Sequence, residues 1–209
     1  MKHIIKFSEP VEFTTWKSAH PNATYADLSS PHYPDSRRIK SVLRKSLCEE
    51  QHGLCCYCER RIISGDYHIE HFRPKAHDKF PHLQLEYANL HVSCHREPSG
   101  GDDECCGHKK KDEFDIALIS PLESDCSIHF SFGFDGSIKG EDERGEKTIK
   151  MLNLNSYLLR DSRKNLIDYF IDLKEEELSS EISSHLNLSH ALHGEYYTMI
   201  KYLHEKGLL

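Results

Sequence analysis

The stretch Cys55-Cys56-Tyr57-Cys58, followed by Ile69-Glu70-His71-Phe72-Arg73-Pro74, decides how this chain reads. Two cysteines with two residues between them are half of a metal site, because one tight turn brings both thiolates to one ion. The other half lies downstream at Cys94 and Cys106, with Cys105 the alternative, since spacing does not rank adjacent cysteines. Between the halves stand the Glu70-His71 pair and Asn89; after them comes His108-Lys109-Lys110-Lys111-Asp112. Four thiolates fill a tetrahedron and leave no position for water, so the set Cys55, Cys58, Cys94 and Cys106 reads as structural Zn2+. Cys48, Cys56 and Cys126 read as ordinary core or surface cysteines.

The residues framed by the zinc halves suit phosphodiester hydrolysis, which needs an activated water, a cation and charge stabilisation on phosphate. His71 is the candidate general base, since a neutral imidazole accepts a proton near pH 7. Glu70 offers a hard oxygen to a divalent ion, Mg2+ or Mn2+. His108 is the expected second ligand, with His95 and His68 as alternatives. Asn89 is expected to fix the loop and orient the His71 imidazole, while Arg73 and Lys110 are candidates for contacting phosphate. A regular strand points successive side chains to opposite faces. Glu70 and His71 therefore converge only if the strand ends or bulges there, which Pro74 favours. With 16 histidines in the chain, the pair gains its meaning from the cysteines around it.

The formal charge of -7, from 34 acidic and 27 basic residues, is unexpected in a protein that cuts nucleic acid. Affinity for phosphates comes mostly from lysine and arginine, so positive charge must be concentrated locally or borrowed from a partner. Two basic clusters exist, Arg37, Arg38, Lys40, Arg44 and Lys45, and Lys109 to Lys111. The first reads most simply as the solvated face of a helix. No apolar run approaches the roughly 20 residues needed to span a bilayer. The start of the chain lacks the apolar segment of a signal peptide. Clustered thiols without such a signal argue for a cytoplasmic protein with reduced cysteines.

The expected class is α+β. Residues 1–34 read as an irregular N-terminal segment, 35–115 as the core with its zinc knuckle, and 116–209 as a β-hairpin plus a C-terminal helical region that docks a partner. Asp35 or Ser36 starts a helix to about Gln51, with Ile39, Val42, Leu43 and Leu47 on one face. Two short strands are expected around Ser64-Gly65-Asp66, a loop over 73–88, and a flexible insertion from Pro98 to Glu104. A helix should run from Cys106 to Phe114. Asp135-Gly136 marks a hairpin turn. Ser156 should cap a helix burying Leu159, Leu166, Ile167, Phe170 and Leu173, and a last helix should carry Leu188, Leu192, Tyr196, Ile200 and Leu203.

The chain resembles the HNH nucleases, and within them the Septu and retron-associated defence proteins (PtuB-like). The resemblance is carried by Gln51-His52-Gly53-Leu54-Cys55-Cys56-Tyr57-Cys58-Glu59, Ile69 to Lys75, Tyr87 to Cys94, and Cys106 to Asp112, with Thr148 to Asn155 continuing it. It implies a ββα-metal (HNH) core and DNA cleavage dependent on a divalent ion. It also implies an ABC-type ATPase partner (PtuA-like) in anti-phage defence; in the retron-linked versions a reverse transcriptase and its DNA product join. The readings that compete with this are a catalytically inert zinc-knuckle adaptor or nucleic-acid-binding module, and a stand-alone HNH restriction enzyme. Two departures matter. Gly107 stands where many HNH proteins place a metal-binding histidine or asparagine, which moves that ligand to His108. Lys111 stands where glycine is common.

Overall fold

The computed structural model describes residues 1–62, 67–76, 78–94 and 103–209. His95, the Ser64-Gly65-Asp66 turn and residues 98–102 of the expected insertion lie outside the described residues. The segment expected to be irregular contains α1 (Val11–Ala19), which starts after Pro10 and buries Phe13 and Trp16. Two apolar residues a single turn apart are too few to register as helical periodicity, which hid this element. The basic helix α2 (Ser36–Glu50) buries Ile39, Leu43 and Leu47 as its spacing requires. Gly53, at φ 73°, ends that turn of the chain and opens the cysteine knuckle.

Strand β1 (Tyr67–His71) pairs antiparallel with β2 (Leu90–Cys94), placing Glu70 opposite His91 and His71 opposite Leu90. The expected partner within residues 60–72 is not the one found; Arg61 makes only an isolated bridge to Leu54. Strand β2 is buried along its whole length, so it shows no alternation by which to recognise it. Gln51 extends the ladder from outside: its side chain accepts from Val92 N at 2.7 Å and donates to Val92 O at 2.8 Å. The helix expected from Cys106 to Phe114 is one short turn, α3 (Cys106–Lys110). It stops at Lys111, whose φ of 51° is a left-handed value that glycine adopts without strain.

Downstream, β3 (Phe130–Phe132) and β4 (Ile138–Gly140) form the expected hairpin, with Gly136 at φ 75° in its turn. Helix α4 (Glu143–Leu152) is capped by Asp142, which accepts from Gly145 N at 2.8 Å. Helix α5 (Tyr157–Ile171) follows Ser156, but that hydroxyl makes no capping bond. The chain ends with two helices where one was expected, α6 (Glu175–His185) and α7 (Tyr197–Glu205). Leu188 and Leu192 lie exposed in the link between them.

The main core gathers residues from α1, α2, the knuckle, the β1–β2 pair, α4 and the start of α5. A smaller core holds Ile167, Phe170, Ile182, Met199, Ile200 and Leu203. Glu59 joins α7 to the knuckle, accepting from Thr198 N at 2.8 Å through its side chain and from Tyr196 N at 3.0 Å through its carbonyl. No helix among the described residues is long and apolar enough to cross a membrane.

Candidate active site and metal centre

The two ends of the β1–β2 pair carry different chemistry, and α3 closes both. At one end Cys55 and Cys58 of the knuckle meet Cys94 at the end of β2 and Cys106 at the start of α3. All four are buried, with their sulfurs within 4.8 Å of one another. A tetrahedron with zinc–sulfur bonds of about 2.3 Å has edges of about 3.8 Å, and Cys58 Sγ lies 3.8 Å from Cys94 Sγ. The donor set therefore fits a four-coordinate ion that prefers sulfur. Cys105 is buried beside this group and is not one of the four gathered sulfurs. Ser93 ties the cluster together, accepting from Gly107 N at 3.2 Å and lying 3.7 Å from Cys55 Sγ.

At the other end Glu70 is buried and fully engaged. Its Oε1 accepts from Tyr57 OH at 3.1 Å and pairs with Lys110 Nζ at 2.9 Å, while Oε2 lies 3.3 Å from His68 Nε2. Burial alone would raise the carboxyl's pKa. The hydrogen bond from His68 and the Lys110 ammonium outweigh that and hold it below the ordinary value. His108, from α3, sets its ring edge-on to His68 with 4.7 Å between centroids. Helix α3 can come this close because residue 107 is glycine; a Cβ there would overlap Glu70 Oε2 and sit 2.6 Å from His68 Nε2. The place where a ligand was expected to be missing is thus occupied by His68 and Glu70 reaching across from β1. His68 and Glu70 share one strand face by their spacing of two, which is the signal that singles out His68.

His71 points away from this group. Its Nε2 lies 3.0 Å from Gln84 O, and its ring meets Tyr25 edge-on at 4.5 Å. A carbonyl only accepts, so the proton sits on Nε2 and the lone pair on Nδ1. Burial, and then the nearby Lys75 charge, lower the His71 pKa to about 4, which keeps the ring neutral at pH 7. Glu70 and His71 therefore do not converge. The strand stays regular through His71 and their side chains take opposite sides.

Two expectations change on this geometry. Asn89 holds the loop but does not touch the His71 ring. Its Oδ1 accepts from Arg73 N at 2.8 Å, and its Nδ2 donates to Arg73 O at 2.9 Å and Leu83 O at 3.1 Å. Lys110, expected to meet phosphate, is wholly buried; its Nζ also donates to His71 O at 3.0 Å and Lys111 O at 3.2 Å. Arg73 is exposed, its guanidinium 5.6 Å from the Phe80 ring centre. Sequence reasoning did not single out His91, which is fully buried on β2 with no hydrogen-bond partner at either ring nitrogen. Glu123, Asp125 and His129 also lie close together. Two members of that group are already engaged elsewhere, Glu123 by Arg144 at 2.8 Å and His129 Nδ1 by Asp142 Oδ2 at 2.5 Å.

Among known proteins, a retron Vc95 protein of Vibrio cholerae serotype O1 biovar El Tor, named as an HNH endonuclease, is 37% identical over 145 residues. That alignment covers 66% of this chain and 69% of the relative. The chain belongs to the HNH endonucleases of Septu and retron type. The Septu protein PtuB of Bacillus thuringiensis is 32% identical over 56% of this chain and 42% of its own length. A retron Ec83 protein of Escherichia coli, also named as an HNH endonuclease, is 25% identical over 84% of this chain and 83% of its own length. No family profile matches the chain. Membership makes this an endonuclease, and the inert adaptor is set aside.

Proposed function

We propose that the protein is the metal-dependent DNA endonuclease subunit of an anti-phage defence complex, with β1, β2 and α3 as its ββα-metal core. The observation that carries this reading is the gathering of His108 from α3 with His68 and Glu70 around Gly107, the latter two on the strand that also bears a neutral His71. Glu70 Oε2, His68 and His108 are the donors we assign to the catalytic ion. One carboxylate and two imidazoles suit Mn2+ better than Mg2+, which prefers oxygen. The ion, when bound, offsets charge on the phosphate and on the leaving oxygen. For His71 Nδ1 to take the proton of the attacking water, its side chain would turn from the Tyr25 side toward the ion donors when DNA binds. Gln84 fixes the tautomer through Nε2, and Asn89 fixes the loop that carries Arg73 past the strand. Cys55, Cys58, Cys94 and Cys106 hold structural zinc and with it the angle between β2 and α3.

The relatives' association with retron and Septu systems supports partner subunits. We infer an ABC-type ATPase, and in a retron setting a reverse transcriptase with its DNA product, docking on the region that holds α6 and α7. Co-expression followed by size-exclusion chromatography with light scattering is the check: co-elution is expected, and separate elution overturns the docking. The nuclease reading is tested by plasmid cleavage with Mn2+ or Mg2+, for the chain co-purified with the protein encoded beside it. His71→Ala is expected to lower the rate by at least about a hundredfold, the usual contribution of a general base. Equal cleavage by wild type and variant overturns the assignment.

A further inference from the structure

We propose that Lys40, Arg44 and Lys75 form a clamp for the DNA backbone on the Tyr25 side of His71. The inference rests on the nuclease reading for its purpose, but on separate observations for its place. Two chain segments bring these cations together. Lys40 and Arg44 sit one turn apart on α2, and Lys75 follows β1. Lys40 Nζ lies 5.4 Å, and Lys75 Nζ 5.3 Å, from the centre of the Tyr25 ring. That ring in turn packs edge-on to His71 at 4.5 Å. Arg44 lies over Tyr67 at 4.5 Å and donates to Tyr67 O at 2.8 Å. The positive charges feel one another: besides burial, Arg44 and Lys75 both press the Lys40 pKa down.

These three stand together around Tyr25 and Tyr67 without counter-ions. Among the described residues none of them forms an ion pair. Lys17, Arg144, Lys147, Arg160 and Lys164 each hold a carboxylate. Acidic residues outnumber basic ones 34 to 27, so there is no shortage of partners. Neighbouring cations left together repel one another, and that repulsion becomes attraction when a row of phosphates lies across them. An acidic protein that cuts DNA needs such a place, and this one sits at the candidate base. The α2 charges, which read as a solvated face from sequence, thus divide. Arg37, Arg38 and Lys45 are exposed, while Lys40 and Arg44 are half-buried and turned toward Tyr25 and Tyr67.

The test is fluorescence anisotropy of a short labelled duplex of random sequence against the full chain, without added divalent metal, over a series of salt concentrations. Each phosphate contact contributes about 0.9 to the slope of log affinity against log salt. Lys40→Gln with Lys75→Gln is therefore expected to reduce the slope by about 2, and Lys40→Arg with Lys75→Arg to restore it. Lys139→Gln with Lys201→Gln, on β4 and α7, is expected to leave it unchanged. In cleavage the Gln pair should raise KM with kcat largely kept. An unchanged slope in the Gln pair, or no salt-dependent binding by wild type, overturns the clamp. Wild type that binds with the expected slope but does not cut in Mn2+ when co-purified with the protein encoded beside it leaves the clamp standing and overturns the active-site assignment.

Discussion

The two ends of the β1–β2 pair differ in how complete they are without a bound ion. At the cysteine end four sulfurs already lie within 4.8 Å of one another, with Cys58 and Cys94 at the 3.8 Å edge of a tetrahedral site. At the glutamate end the donors are near one another, but an ammonium, Lys110, occupies one oxygen of Glu70. Buried sulfurs from the knuckle, the end of β2 and the start of α3 meet at one point, and the fold closes around them. A buried carboxylate demands a counter-charge at all times, and the chain supplies one from α3. The first end is built to be permanent and the second to exchange partners.

Breaking the cysteine end should have the largest effect. Cys58→Ser removes one sulfur from a set whose metal, when bound, would stabilise folding, a contribution of about 10–16 kcal/mol in small zinc domains. Zinc content and cooperative melting are expected to be lost together; a folded, zinc-loaded variant would contradict the assignment. Lys110→Met strands the Glu70 carboxylate and two carbonyl oxygens, and one-sided removal of a buried pair costs about 3–5 kcal/mol. Chemical denaturation should show that loss, with much of it recovered when Glu70→Gln is added. A double variant no more stable than the single one would show that the pair is not the cause.

A smaller effect separates the strand pair from the C-terminal helices. His193 stacks on His52 at 3.6 Å and its backbone N–H bonds His52 O at 3.2 Å, beside the α7 dock. Burial, then the charge of His52, lowers the His193 pKa to about 4, against about 6.5 in an unfolded chain. Its contribution to stability is therefore present above about pH 6.5 and lost as pH falls through about 4. Thermal melts should drop over that window, and less so in His193→Gln; an identical drop in both would remove His193 from the account. The smallest effect is a gain: Lys111→Gly relieves the left-handed backbone at the end of α3, worth about 1 kcal/mol. A lower melting temperature would show that the Lys111 ion pair with Glu104, at 3.3 Å, matters more.

The cysteine set was legible because the Cys55–Cys58 spacing marks one half of the site, but Cys106 rather than Cys105 is picked out only by the fold. The pair Glu70-His71 was legible as chemistry but not as geometry. Which face each residue takes depends on β2, a strand whose continuous burial carries no period. Lys110 was misplaced for a related reason: in a run of three lysines nothing marks the one that turns inward. His68 was readable from its spacing to Glu70. Tyr25 was not, because it reaches His71 from a segment that looked irregular.

The central claim is that one strand pair carries two independent metal sites. Zinc analysis and Mn2+ titration followed by electron paramagnetic resonance, on wild type and Glu70→Gln, test it most directly. About one zinc per chain is expected in both proteins, with Mn2+ bound tightly by wild type and far more weakly by the variant. Equal Mn2+ binding by the two, or zinc lost along with Glu70, would contradict it.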